Sequence, residues 1–305
     1  MKLTKYGFDF LVLLEKLGKG KYTQRWLADK LSFSIGAVNK FINTFFAEGI
    51  INWEENGEMS LTDKGYEILE PFRVRRAIIL AAGFSERLAP VSLKYPKPLV
   101  KINGIRLIDP LIDALLDADI KDITVVTGYK ADMFESLLEK YPNLQLVNNP
   151  LYNQSQNITT LLAAQDKIDR CYICDGDTFI HNPQIIEKYE YESCFFGVPA
   201  RSTNDWCFSV VGKKISNFRI GGENCHRAIF ITYLNEADSA KLKTEMVKLS
   251  RTYGGLEHKW FDVLFGETAK KFTLNAKTCY HEDTTEVDTV ADLAALDESY
   301  KDISL

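Results

Sequence analysis

A chain of 305 residues with 46% apolar content is long enough for one large domain and one small one, each with a core. Its net charge of −5 excludes a generally basic nucleic-acid binder, and six cysteines in a chain this long are too few for a disulfide framework and read as reduced thiols. No apolar run reaches membrane-spanning length and the start lacks a signal-peptide cleavage pattern, so a cytoplasmic protein without membrane insertion is expected.

Residues 1–73 read as a small helical module. Apolar residues recur at helical spacing from Leu3 to Leu17 and stop at Gly18 and Gly20. Thr23 is placed to cap a helix over Gln24 to Leu31, and Ser34 one over Ile35 to Glu48. Two extended runs, Ile50 to Trp53 and Met59 to Thr62, flank Glu54-Glu55-Asn56-Gly57-Glu58, where Asn-Gly signals a hairpin. A last short helix follows Thr62. This order resembles the winged helix-turn-helix of bacterial transcription regulators, which would put Ser34 to Phe45 in a DNA major groove. The charge points the other way. Acidic and basic residues are roughly equal in number, the third helix offers only Lys40, and the wing is acidic, whereas phosphate contacts require cations. DNA binding and a role in packing, dimerisation or ligand sensing both stay open.

Residues 76–104 open on a strand, Ala77-Ile78-Ile79-Leu80, apolar enough to be buried on both faces. It breaks at Ala81-Ala82-Gly83, where small residues let the backbone approach a ligand. Arg87, Lys94 and Lys97 follow, on a segment stiffened by Pro90, Pro96 and Pro98. A small-residue turn presenting N–H groups beside fixed cations is a phosphate-handling loop. Downstream, short apolar strands at Ile123 to Thr127, Leu144 to Val147 and Cys171 to Cys174 alternate with helices at Ile108 to Ala118, Ala131 to Lys140 and Asn157 to Ala164. Such alternation implies a mostly parallel sheet with helices on both faces, which binds ligands at the carboxyl ends of its strands. Cys171 and Cys174 are three apart on a strand, face opposite ways and do not share a metal. Asp175 and Asp177 follow that strand, and alternate residues face alike. A phosphate-bound Mg²⁺ takes one or two such carboxylates.

The pieces Leu80-Ala81-Ala82-Gly83, Gly83-Phe84-Ser85-Glu86-Arg87 and Pro96-Lys97-Pro98-Leu99 resemble the signature of nucleotidyltransferases that join NTPs to phosphorylated sugars or amino alcohols. The signature runs L-A-A-G-x-G-x-R, then P-K-x-L; Ser85 stands here in place of its second glycine. The resemblance implies a Rossmann-like α/β/α sandwich with a mostly parallel, mixed sheet over residues 74–305. It also implies Asp177 as a metal ligand, and a late motif, Glu286-Val287-Asp288, that nominates Asp288 as the second, ahead of Asp175. Leu80, Ala82, Gly83, Gly128, Tyr129 and Asn157 would contact the nucleotide. Asn148 to Tyr152, Asn157 to Leu161, Thr203 to Trp206 and Gly254 to Asp262 are similar to the choline-phosphate cytidylyltransferases. These enzymes convert CTP and phosphocholine to CDP-choline and pyrophosphate with Mg²⁺.

A quaternary ammonium has no N–H donors, and aromatic faces with a nearby carboxylate hold it. Trp206, Trp260 and Phe261 with Asp205 and Asp262 supply that chemistry. Catalysis is then positioning and charge stabilisation, with Lys97 on the reacting phosphates and Arg87 on the leaving pyrophosphate. The rival acceptors are phosphoethanolamine, 2-aminoethylphosphonate and, against the internal pieces, a sugar 1-phosphate. A rival from another class is a DNA-binding regulator whose second domain only senses a ligand. The sequence leaves the oligomeric state open.

Overall fold

The computed structural model describes residues 3–54 and 56–301; Glu55 of the predicted hairpin turn lies outside the described residues. The chain divides into two compact units, residues 1–73 and 74–305.

In the first unit the Thr4 hydroxyl accepts the Gly7 N–H (3.2 Å) and starts α1 (Lys5–Leu17), which stops at Gly18 with φ 71°. A two-residue strand, β1 (Gly20–Lys21), precedes α2 (Gln24–Leu31) and α3 (Ile35–Ala47), whose hydroxyl caps are Thr23 and Ser34. β2 (Ile51–Trp53) and β3 (Glu58–Leu61) pair antiparallel, and β1 joins the far side of β3. Thr62 caps α4 (Asp63–Leu69). Phe8, Phe10, Leu11, Leu14, Leu27, Val38, Ile42 and Phe45 are buried, at the helical spacing the sequence displays.

The second unit is built on β4 (Arg76–Ala81), buried from Ala77 to Ala81. Three short 3-10 turns and a minimal hairpin, β5 (Lys101–Ile102) with β6 (Ile105–Arg106), lead to α5 (Asp109–Asp117) and β7 (Asp122–Thr127). The helix expected over Ala131 to Lys140 is a 3-10 segment, Ala131–Leu137, followed by β8 (Gln145–Asn148). Then come α6 (Ile158–Ala163), β9 (Cys171–Asp175), β10 (Thr178–Ile180), β11 (Cys194–Val211), β12 (Lys214–Leu234) and α7 (Glu236–Ser250). Finally α8 (Asp262–Phe265), β13 (Asn275–Thr278), β14 (Thr284–Glu286) and α9 (Val290–Leu296) complete the order.

The main sheet runs β11-β13-β12-β9-β4-β7-β8. β9, β4, β7 and β8 are parallel, and β12 joins β9 antiparallel, so the sheet is mixed. Alternate residues of β4 feed two apolar layers: Ala77, Ile79 and Ala81 pack with α5, and Ile78 and Leu80 with α6 and α7. Cys174 belongs to the first layer and Cys171 to the second, as their spacing requires; all six cysteines are buried and unpaired. This α/β architecture is the one the sequence implies, with one element it does not announce. The long β11–β12 hairpin carries a polar middle, Arg201 to Asp205, that reads as loop. Among the described residues no helix is long and apolar enough to cross a membrane.

Candidate active site

The parallel register of β4 with β7 and β9 aligns the ends of three strands at one edge of the sheet. Past β4 the chain turns through Ala82 and Gly83. A Cβ on Gly83 would meet nothing within 4 Å, so its smallness serves no packing within the chain and leaves room for an incoming group. Ser85 takes φ 55° and ψ 50°, the left-handed region that favours glycine. This accounts for the glycine of the signature at that position. A cavity of about 150 Å³ opens here, and its lining includes Leu80, Ala82, Gly83, Lys97, Asn157 and Asp177, six residues the sequence assigns to the site.

The late segment reaches this cavity through a second, small sheet. β14 pairs with β10 directly after β9, aligning Glu286 with Thr178, and the Val287 N–H donates to the Asp177 carbonyl (3.2 Å). Lys97 and Asp288, 191 positions apart in sequence, thereby meet. Lys97, only 5% exposed, donates to Asp177 Oδ2 (3.0 Å) and Asp288 Oδ1 (2.8 Å). Burial lowers the ammonium's pKa, but the two carboxylates outweigh it and hold the pKa above the ordinary lysine range. Arg87 reaches Asp288 Oδ1 (3.0 Å) from solvent, with its side chain 72% exposed.

Glu286 completes the cluster. One carboxylate oxygen each from Asp177, Glu286 and Asp288 lies within 4.8 Å of the others, a hard oxygen set suited to a divalent cation. Burial raises the Glu286 carboxyl's pKa, with Asp177, Asp288 and Asp205 adding to it, against the Arg227 guanidinium 2.9 Å away. The sequence reading passes over Glu286. The signal lies in its spacing, since Glu286 and Asp288 are alternate residues leaving a strand, the pattern already used for Asp175 and Asp177. Asp175 lines the cavity outside that oxygen set. Its carboxyl is pushed well above the usual range by burial, then by Asp177 and Glu286; its Oδ1 has no hydrogen-bond partner among the described residues.

Other predicted residues shape the site's surroundings or lie in the core. Gly128 is a packing residue, because a Cβ there would come within 2.6 Å of Tyr152 and 2.9 Å of the Ala82 Cβ. Tyr129 buttresses the turn: its N–H donates to the Ala82 carbonyl (3.0 Å) and its hydroxyl to the Ser92 carbonyl (3.2 Å). Asn157 both lines the cavity and accepts the Trp260 backbone N–H (3.1 Å). The proposed aromatic box is corrected in part. Trp260 and Phe261 are core residues, 0% and 3% exposed, because α8 folds them under α6 and α7. Asp262 closes its own turn, accepting the Lys259 N–H (2.9 Å). Trp206 and Asp205 remain half-buried on β11.

Residues 76–189 match the nucleotidyl transferase family. The chain is 33% identical over 228 residues to the 2-aminoethylphosphonate cytidylyltransferase of Lancefieldella rimae, covering 73% of this chain and 92% of that one. It is 26% identical to the choline-phosphate cytidylyltransferase of Streptococcus pneumoniae, over 74% and 98% of the two chains. The solved structure of the CTP:phosphocholine cytidylyltransferase from Streptococcus pneumoniae superposes with a TM-score of 0.68 at 26% identity, covering 74% of this chain and 99% of that one. With the β4 turn, Lys97 and the three converging acids in place, this chain belongs to the nucleotidyl transferase family, among its cytidylyltransferases.

Proposed function

We propose that this protein moves the cytidylyl group of CTP onto the phosphate or phosphonate of a small amine, releasing pyrophosphate. Phosphocholine, which the sequence favours, and 2-aminoethylphosphonate, the substrate named for the Lancefieldella relative, are the leading acceptors. The observation that carries the reading is Lys97 held between Asp177 and Asp288 beside a glycine turn, with Glu286 completing the oxygen set.

In the reaction an acceptor oxygen attacks the α-phosphorus of CTP, the new P–O bond forms, and the bond to the β-phosphate oxygen breaks. The acceptor is already anionic, so no general base is needed. Lys97 neutralises charge on the reacting phosphates, and its burial makes each such contact stronger than in water. Arg87, on an exposed arm that pairs with Asp288, follows the leaving pyrophosphate. Asp177, Glu286 and Asp288 would hold Mg²⁺, which supplies charge neutralisation and an ordered phosphate when bound. Ala82, Gly83 and Asn157 border the space for base and ribose. The decisive measurement is pyrophosphate release from each NTP with Mg²⁺ and a panel of phosphorylated amines. CTP should be preferred, and no release with any amine acceptor would overturn the assignment.

For the first unit we propose a winged helix-turn-helix module, supported by the order of α2, α3 and the β2–β3 hairpin.

A further inference from the structure

Resting on the cytidylyl-transfer reading above, we infer that the acceptor carries a primary ammonium rather than a trimethylammonium, with Asp205 receiving it and Lys259 closing the aromatic face a quaternary cation would need. A trimethylammonium has no N–H group and is held by open ring faces. Trp206, half-buried beside Asp205, is the ring left for that task once Trp260 and Phe261 are placed in the core. Its surface is already engaged. Phe218 stacks on it (centroids 5.3 Å, 23°), and Phe261 meets it edge-on (5.2 Å, 72°). The Lys259 ammonium lies 4.8 Å from the Trp206 centroid and 5.4 Å from that of Phe261. The chain's own cation occupies the quadrupole a choline head would use, and a second cation there would meet it as a like charge.

Asp205 opens onto a cavity of about 310 Å³ whose other acids are committed. Glu286 faces Arg227 at 2.9 Å, Asp288 faces Lys97 and Arg87, and Asp292 accepts the backbone N–H groups of Asp288 and Thr289. Asp205 Oδ1 accepts the Trp206 N–H (2.7 Å), and the carboxylate meets no cation among the described residues. An –NH₃⁺ group brings the hydrogen-bond donors this carboxylate accepts; a trimethylammonium brings none.

The test is pyrophosphate release with CTP, Mg²⁺ and 2-aminoethylphosphonate, phosphoethanolamine or phosphocholine. The wild-type protein should use the primary amines with kcat/KM at least ~10-fold above phosphocholine, the scale of one desolvated cation–π contact. Lys259→Met should shift that ratio about tenfold toward phosphocholine, and Lys259→Arg, which keeps the cation, should not. Asp205→Asn should cost the primary amines ~10-fold or more relative to phosphocholine, as expected when a charge-assisted bond is lost. Should a variant turn over too slowly, calorimetric binding of CDP-ethanolamine against CDP-choline reads the same ratios. A wild-type preference for phosphocholine, or a ratio unmoved by Lys259→Met, overturns this inference and leaves cytidylyl transfer standing. Release with none of the three overturns both.

Discussion

Lys97 and Lys277, the more buried of the lysines in the second unit that pair with two carboxylates, are linked by β9. Toward the start of β9, the Tyr172 hydroxyl donates to Glu190 Oε1 (2.6 Å), and Glu190 pairs with Lys277, which also holds Glu187 (3.1 Å). Past its other end, Lys97 joins Asp177 and Asp288. The inventories match, yet only one reads as a site. The Lys277 cluster is walled by core on all but the Glu187 side: the Phe196 ring lies 5.1 Å from the ammonium, and Tyr172, Cys194 and Phe196 are core residues. The Lys97 cluster faces a cavity, carries a third acid in Glu286 and adjoins a turn with room beside Gly83. A charged constellation becomes chemistry where a cavity and a further acid adjoin it; where the groups satisfy one another and the core covers most of them, it is structure.

Lys97→Ala is the sharpest way to break this comparison. It should lower kcat ~100-fold or more, the loss expected for removing one preorganised stabilising group, with the fold retained by circular dichroism. An enzyme of full activity would show the two lysines to be equivalent. Next in size, Asp177→Asn, Glu286→Gln and Asp288→Asn should each raise the Mg²⁺ concentration for half-maximal activity by ~10-fold or more, since even supporting residues of metal sites act on that scale. Glu286→Gln behaving like wild type would remove it from the oxygen set.

Lys277→Met tests the other end. It should leave the substrate preference of the active enzyme intact and cost about 3 kcal/mol of stability, the low end for stranding a buried charge, because Glu187 is 51% exposed and can turn to water. Burial, and then Glu187, already hold the Glu190 carboxyl above its ordinary range despite Lys277. Without the cation its folded pKa rises further above the unfolded value. A carboxyl raised in this way favours folding when protonated, and that favour is lost as pH rises through the folded pKa. The variant's deficit should therefore shrink from pH 7 toward pH 5 in paired thermal melts, and a deficit that grows on acidification would be against it.

How much of this was legible follows from where each interaction lives. The helix caps Thr23 and Ser34, the strand β4 and the turn after it are local, and the residues state them outright. Lys97, Asp177 and Asp288 stand in motifs, so they can be named as candidates before their meeting is visible. Glu286 stands in the same motif, and its spacing from Asp288 places both on one face, a weaker signal than the aspartate itself carries. The aromatic box misled for a different reason. Trp260 and Phe261 are rings beside a carboxylate in sequence, but direction is decided by α8 packing under α6 and α7, which no local pattern encodes. The pairing of Lys259 with Trp206 spans 53 positions and depends on the β11–β12 hairpin, itself hidden by a polar middle.

The smallest effect concerns the turn the Lys277 end lacks. Ser85 is in the left-handed region at φ 55°, where a side chain costs about 1–2 kcal/mol. Ser85→Gly removes that strain, but glycine surrenders about 0.4–1 kcal/mol through its freer unfolded chain. The two nearly offset, so the melting temperature should move by no more than a few degrees, upward if at all. The side chain borders the cavity, which makes activity the more telling readout. If backbone shape is all the turn contributes, Ser85→Gly keeps kcat/KM for CTP within about threefold, while Ser85→Val, β-branched at a positive φ, loses both stability and activity. A tenfold fall in Ser85→Gly alone would mean that the serine hydroxyl itself holds the nucleotide.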